Sequence, residues 1–247
     1  MPMTMATSAW IRRFRPVPDA AVRLICLPHA GGAASYYLPV TRAVPNRVEV
    51  LAIQYPGRQE RRQEPGIDDI ERLAEMVTAE IRPWCDRPVA LFGHSMGAMV
   101  AYEVARRLER DGIVPVTLFA SGRRAPSRHR ETHVHRLDDR GLKAELTRLS
   151  GTGTALLDDP DMLGMILPAF RSDYRAVASY RHRPGPPLSC PVVSLVGAED
   201  TEVDRDEADA WREHTTGGFE LRVFPGGHFY LNTHAAEVVA LIADRLR

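Results

Sequence analysis

Lysine is nearly missing from this chain. Lys143 is the only one, against 31 arginines, which leaves almost no scope for Schiff-base chemistry. Cysteine is scarce as well. Cys26, Cys85 and Cys190 are scattered, odd in number and form no C-x-x-C pair, so neither a disulfide framework nor a zinc ribbon is expected, and three reduced thiols fit a cytoplasmic protein. Net charge is absent, because 32 Lys+Arg balance 32 Asp+Glu. That balance argues against a nucleic-acid partner, which needs a broad basic face to neutralise phosphates. The N-terminal MPMTMATSAWIRRFRP has no continuous apolar core, so it does not read as a signal peptide. The longest apolar stretch, residues 89–105, is interrupted by His94, Ser95 and Glu103. It falls short of the roughly 20 mostly apolar residues of a bilayer span, and no membrane partner is expected.

What is present points to a folded domain. A chain of 247 residues that is 44% hydrophobic can bury a sizeable core. Short apolar runs at 23–27, 49–54, 89–92, 116–120, 192–196 and 220–224 read as parallel strands covered on both faces. Helical patterns lie between them, at 67–84, 96–110 and 235–246, with apolar residues at i, i+3, i+4 spacing. Alternating β and α elements predict an α/β fold with a mostly parallel, doubly wound sheet. Residues 123–189 break the alternation. They carry helical patterns near 137–149 and 160–179 and no strand. The expectation is one domain over 1–247 with 123–189 as a helical lid insertion above the C-terminal edge of the sheet, where such sheets place their sites. A subdomain that only buttresses the sheet is the alternative.

Gly93-His94-Ser95-Met96-Gly97 follows a strand and precedes a helix. It is a G-x-S-x-G nucleophile elbow in the context that the motif requires. A serine hydroxyl needs a base, and the base needs an orienting carboxylate. In the α/β-hydrolase fold these follow in the order Ser, acid, His, at the ends of later strands. Asp200 lies just after 192–196, and His228 follows 220–224. Glu199 and Asp204 are rivals for the acid, and Asp200 is preferred over Glu199 as one residue further into the loop. His234, at the start of the last helix, is a weaker base candidate, and His94 reads as a packing residue. His133 and His135 lack an acidic or Cys partner at ligand spacing, so no metal is expected. No cofactor is implied. For the oxyanion, the backbone N–H of Met96, directly after the serine, is one expected donor. The second is the N–H of Ala30, in the loop Pro28-His29-Ala30-Gly31-Gly32 after the first strand.

Together, Leu27-Pro28-His29-Ala30-Gly31-Gly32, Tyr55-Pro56-Gly57-Arg58, Gly93-His94-Ser95-Met96-Gly97-Ala98, Gly197-Ala198-Glu199-Asp200 and Gly226-Gly227-His228-Phe229 resemble the type II thioesterases, the editing enzymes of polyketide synthases and nonribosomal peptide synthetases. The resemblance runs over nearly the whole chain, including Phe170-Arg171-Ser172-Asp173-Tyr174. It implies hydrolysis of acyl groups from the phosphopantetheine thiol of acyl or peptidyl carrier domains, with Ser95, His228 and Asp200 as the triad, in a protein expected to be a monomer. Arg123, Arg124, Arg128 and Arg130 cluster where the insertion leaves the sheet, and are candidates for docking an acidic carrier, with a solvated lid face as the plainer reading. Arg58 is read as pinning its own loop. A carboxylesterase or lipase, an acyltransferase, and a non-catalytic binding protein of the same fold remain the rival functions.

Overall fold

The computed structural model describes residues 8–150 and 159–247. The start of the N-terminal stretch and residues 151–158 of the expected insertion lie outside them. Seven strands form one sheet in these residues: β1 (Ile11–Arg12), β2 (Val22–Leu27), β3 (Val48–Ile53), β4 (Val89–His94), β5 (Leu118–Ser121), β6 (Val192–Gly197) and β7 (Phe219–Phe224). Their order is β1-β3-β2-β4-β5-β6-β7. Only β1 runs antiparallel, against β3; the others pair in parallel. Every residue of β2 to β6 is buried, which is why these strands appear as unbroken apolar runs. Strand β7 closes one edge and is half exposed.

Helices cover both faces. On one side α2 (Ile70–Ile81) and α3 (Met96–Arg110) pack on Ile25, Leu27 and Leu51. On the other, α1 (Leu38–Ala43) and α7 (Ala235–Arg245) pack on Leu24, Cys26 and Val50. Alternate residues of a strand thus serve opposite cores. The helix expected over 67–84 is shorter. Asp69 caps it by accepting the Arg72 N–H (2.8 Å), and after Ile81 the chain tightens into a 3₁₀ turn around Pro83, which has no N–H with which to continue the helical ladder. Strand β1 and the short helices α1 and α6 (Arg205–Asp209) escaped the sequence reading. None is long enough to display a period.

Between β5 and β6 lie α4 (Asp139–Ser150) and α5 (Pro160–Ser179). Among the described residues this stretch holds no strand, only an isolated bridge from Leu188 to Thr215. Asp159 caps α5, accepting the Asp161 N–H (2.9 Å), with Pro160 in the first turn. Leu142 of α4 meets Leu167 and Phe170 of α5 in a small core of their own, against which Ala30 packs.

The sheet is fastened at its N-terminal end by charge. Arg23 and Glu49 are register partners on β2 and β3, 4% and 1% exposed, and they form an ion pair at 3.3 Å. Arg23 also donates to the Trp84 carbonyl (2.6 Å). Arg23 pairs with Asp86 as well, and Glu49 with Arg13 (2.5 Å), so loss of the Glu49 charge leaves Arg23 partly compensated. Glu49→Gln should therefore lower unfolding free energy by about 1–3 kcal/mol in denaturant titration, the scale of weakened hydrogen bonds to a buried charged group. Turnover at temperatures where the variant is folded should be unchanged, because Glu49 lies at the opposite end of the strands from Ser95.

Candidate active site

Ser95 stands where β4 turns into α3. Its backbone is at φ 53°, ψ −117°, a conformation that a side-chain-bearing residue rarely adopts. Residues 89–105 are buried except for Ser95. The turn is possible because its flanks carry no side chains. A Cβ on Gly93 would fall on the Gly97 carbonyl, and one on Gly97 would fall on the Leu27 carbonyl of β2. The Ser95 N–H donates to the Ser121 carbonyl (2.8 Å), and the Ala98 N–H returns to the Ser95 carbonyl (3.0 Å). The hydroxyl is thereby offered at the C-terminal edge of the sheet and at the start of α3, where unpaired helix N–H groups favour negative charge.

The loops after β6 and β7 are laced together. The Ala198 N–H donates to the Phe224 carbonyl (2.8 Å) and the Glu199 N–H to the Gly226 carbonyl (2.9 Å). This brings Asp200 to His228, whose Nδ1 donates to Asp200 Oδ2 at 2.8 Å. The other oxygen, Oδ1, accepts the Glu202 N–H (2.8 Å). The Asp200 side chain is fully buried and that of His228 is 6% exposed. Glu199 is exposed and Asp204 caps α6, so it is Asp200 that meets the imidazole, while His234, the rival base, bonds Glu237 (2.8 Å) at the start of α7. Ser95, His228, Met96 and Ala30 line one small cavity of about 40 Å³, with Tyr174 and Val177 of α5 in its wall. A serine beside a carboxylate-backed imidazole, next to backbone amides at a helix start, can carry acyl transfer.

Two further histidines touch this centre. The His94 ring lies 5.0 Å from that of His228, and His29 lies 6.0 Å from His94. His94 Nδ1 shares a hydrogen bond with Ser121 Oγ (2.9 Å), which also meets the Tyr230 hydroxyl (2.7 Å). Ser121 is fully buried within β5, so this second Ser–His pair has no access to a substrate. Burial, then the nearby His228, push His94 well below its ordinary pKa. The same causes lower His29 to about 3.

The four arginines divide. Arg123, Arg124 and Arg130 line the cavity. Arg124 donates to the Glu202 carbonyl (2.5 Å), Arg130 pairs with Glu207 (2.8 Å), and Arg128 pairs with Glu213 (2.5 Å) at the surface. Arg123 has no carboxylate at ion-pair distance among the described residues, and burial lowers its pKa to about 10. The glutamates come from beyond β6, so a local reading of the arginine cluster did not find them. The sequence reading also missed Asp173. It is 1% exposed on α5, pairs with Arg58 and accepts the Gly31 N–H (2.7 Å).

Comparison with known proteins gives a consistent set of likenesses. A family model described as "Thioesterase domain" matches residues 22–246. Thioesterase PikA5 of Streptomyces venezuelae is 50% identical over 247 residues, covering 99% of this chain and 88% of its own. Among solved structures, the type II thioesterase BorB from the borrelidin biosynthetic cluster superposes with a TM-score of 0.93 at 50% identity, covering 97% of this chain and 98% of its own. RedJ, from the prodiginine pathway of Streptomyces coelicolor, superposes with a TM-score of 0.87 at 36% identity, covering 93% and 87%.

The lowered pKa values of His29 and His94 have a consequence for stability. The unfolded chain takes up protons at His29 and His94 near pH 6.5, whereas folded His29 resists protonation until about pH 3. Below about 6.5 the unfolded state binds more protons, so their contribution is complete above that pH and is lost as the pH falls towards 3. The melting temperature should drop between pH 7 and pH 5, and His29→Phe should flatten that slope.

Proposed function

This chain belongs to the thioesterase family, among the type II thioesterases of polyketide and nonribosomal peptide biosynthesis, and from that premise we propose how its own residues cleave a carrier-bound acyl thioester. The observation that carries the reading is the half-exposed Ser95 on its strained turn, in one cavity with an imidazole that Asp200 backs. A thioester carbonyl is more electrophilic than an amide, and its thiolate leaves without strong acid assistance. His228 takes the Ser95 proton as Oγ attacks. The oxyanion is held by the Met96 and Ala30 amides, each worth about 100- to 1000-fold in rate. The carrier's pantetheine thiol departs, leaving acyl-Ser95. His228 then activates water, and Asp200 keeps the imidazole in the tautomer that can accept the proton and steadies the imidazolium. The product is a free acid and an unloaded carrier arm, as expected of an enzyme that clears aberrant acyl units.

In this reading residues 123–189 form the lid. Tyr174 and Val177 of α5 help to close the acyl cavity, and the arm enters beside the arginine-lined rim. Arg128 and Arg130 are exposed there and meet an acidic acyl or peptidyl carrier domain, while Arg123 and Arg124 face inward. The enzyme works in the cytoplasm as a monomer. Its three free thiols fit a reducing compartment, and no helix among the described residues is long and apolar enough to cross a membrane.

Ser95→Ala should abolish hydrolysis of an acyl-carrier thioester while leaving carrier binding in place; turnover at the wild-type rate would remove the assignment. The double reversal Arg128→Glu with Arg130→Glu should raise KM for the carrier substrate about tenfold at low salt, an effect that fades as salt screens it. An unchanged KM and salt dependence would show that these arginines do not dock the carrier.

A further inference from the structure

The oxyanion loop is not held by the sheet alone. His29 to Gly32 form a β-turn closed by the Gly32 N–H donating to the His29 carbonyl (2.9 Å). Gly31, the third residue of the turn, is at φ 72°, the positive value that a type II turn requires there. In that form the middle peptide, between Ala30 and Gly31, points its N–H outward. The N–H donates to Asp173 Oδ2 on α5 at 2.7 Å. If the peptide flipped, the Ala30 carbonyl oxygen would face the carboxylate, and the two oxygens would repel. Arg58 grips the far side of the turn. Its Nε donates to the Gly32 carbonyl (2.7 Å), one Nη to the Pro56 carbonyl (2.7 Å), and the other to Asp173. Both side chains are buried, at 4% and 2% exposed. Phe170, one helical turn before Asp173 and so on the same face of α5, lies against the Gly31 Cα. Ala30 itself packs into the α4–α5 cluster.

We infer that Asp173, held by Arg58, is a positioning residue that seats the oxyanion turn on α5, so that the Ala30 donor is in place only when the helical insertion is docked. The inference rests on the reading of Ser95 and Ala30 given above. The separation along the chain is large, with Asp173 lying 115 residues from Arg58 and 142 from Gly31. A clamp of that kind makes seating of the insertion and assembly of the oxyanion hole one event. Burial raises the Asp173 carboxyl above its ordinary pKa, and Arg58 and the Gly31 N–H offset only part of that rise. A carboxylate that accepts both donors is consistent with the geometry.

The test separates positioning from stability. Arg58→Met with Asp173→Leu removes the pair while filling its volume with apolar groups, an exchange that often keeps or raises stability. The protein is assayed on an acyl-N-acetylcysteamine thioester and with an alkylboronic acid, which adds to a serine and places a B–O group where the oxyanion sits. The expected result is a folded variant with kcat lower by about 10- to 100-fold, boronate affinity lower by a similar factor, and KM within about threefold of wild type. If the double variant does not fold, Asp173→Asn, assayed below its melting temperature, gives the same readout. Wild-type kcat and boronate affinity would overturn the inference, as would a change confined to KM, which would mean that α5 only shapes the acyl pocket. Ser95→Ala is run alongside. Activity in that variant removes the underlying reading, whereas an inactive Ser95→Ala beside an unimpaired clamp variant removes only the clamp.

Discussion

The close approach of helix α3 to strand β2 is the constraint on which the site depends. Gly97 lies against the Leu27 carbonyl, and Gly93 against the first turn of the helix, with no room for a Cβ at either. That approach forces Ser95 into its strained backbone, at a cost of about 1–3 kcal/mol. The surroundings that offset it are extensive. Strands β4 and β5 are buried throughout, and α3 is buried over its first ten residues, Met96 to Ala105. The strain is useful because it turns one hydroxyl out of an otherwise closed core. It also fixes where everything else must be: the proposed acid and base, Asp200 and His228, have to reach the same sheet edge from β6 and β7, and the laced loops 198–199 and 224–226 make them do so.

The excess of arginine over lysine has a counterpart in the structure. Arginine repeatedly holds backbone carbonyls of irregular segments: Arg58 binds those of Gly32 and Pro56, Arg61 that of Gln54, and Arg171 those of His135 and Leu137. A planar guanidinium with five donors can bind two or three such groups and a carboxylate at once, whereas an ammonium is a compact point charge with three donors. Many of the cations that cancel in the formal charge therefore act as struts between loops rather than as a field.

The parts of this architecture that were legible in the sequence are those with a local signature. The elbow around Ser95 announces itself by residue type and by the strand before it, and α3 begins and ends where its periodicity predicted, at Met96 and Arg110. Chain order placed Asp200 and His228. The choice between Asp200 and Glu199 became clear only in three dimensions, where Asp200 meets His228 and Glu199 is exposed. Asp173 lies in a family-like stretch, but nothing near it in the chain indicates that its partners are Arg58 and Gly31. The same holds for the glutamates that neutralise Arg124, Arg128 and Arg130. Long-range pairing of charges leaves no periodic trace, and two-residue strands such as β1 leave none either.

The row of three imidazoles bears on where the serine's proton can go. His29, His94 and His228 lie ring to ring, yet only His228 is backed by a carboxylate. The other two sit in surroundings that reject positive charge. On the proposed mechanism they are therefore poor relays for a proton. In the proposed mechanism the proton lifted from Ser95 therefore rests on His228, within reach of the departing thiolate. Two histidines that disfavour a positive charge thus flank the one that the proposed mechanism needs charged.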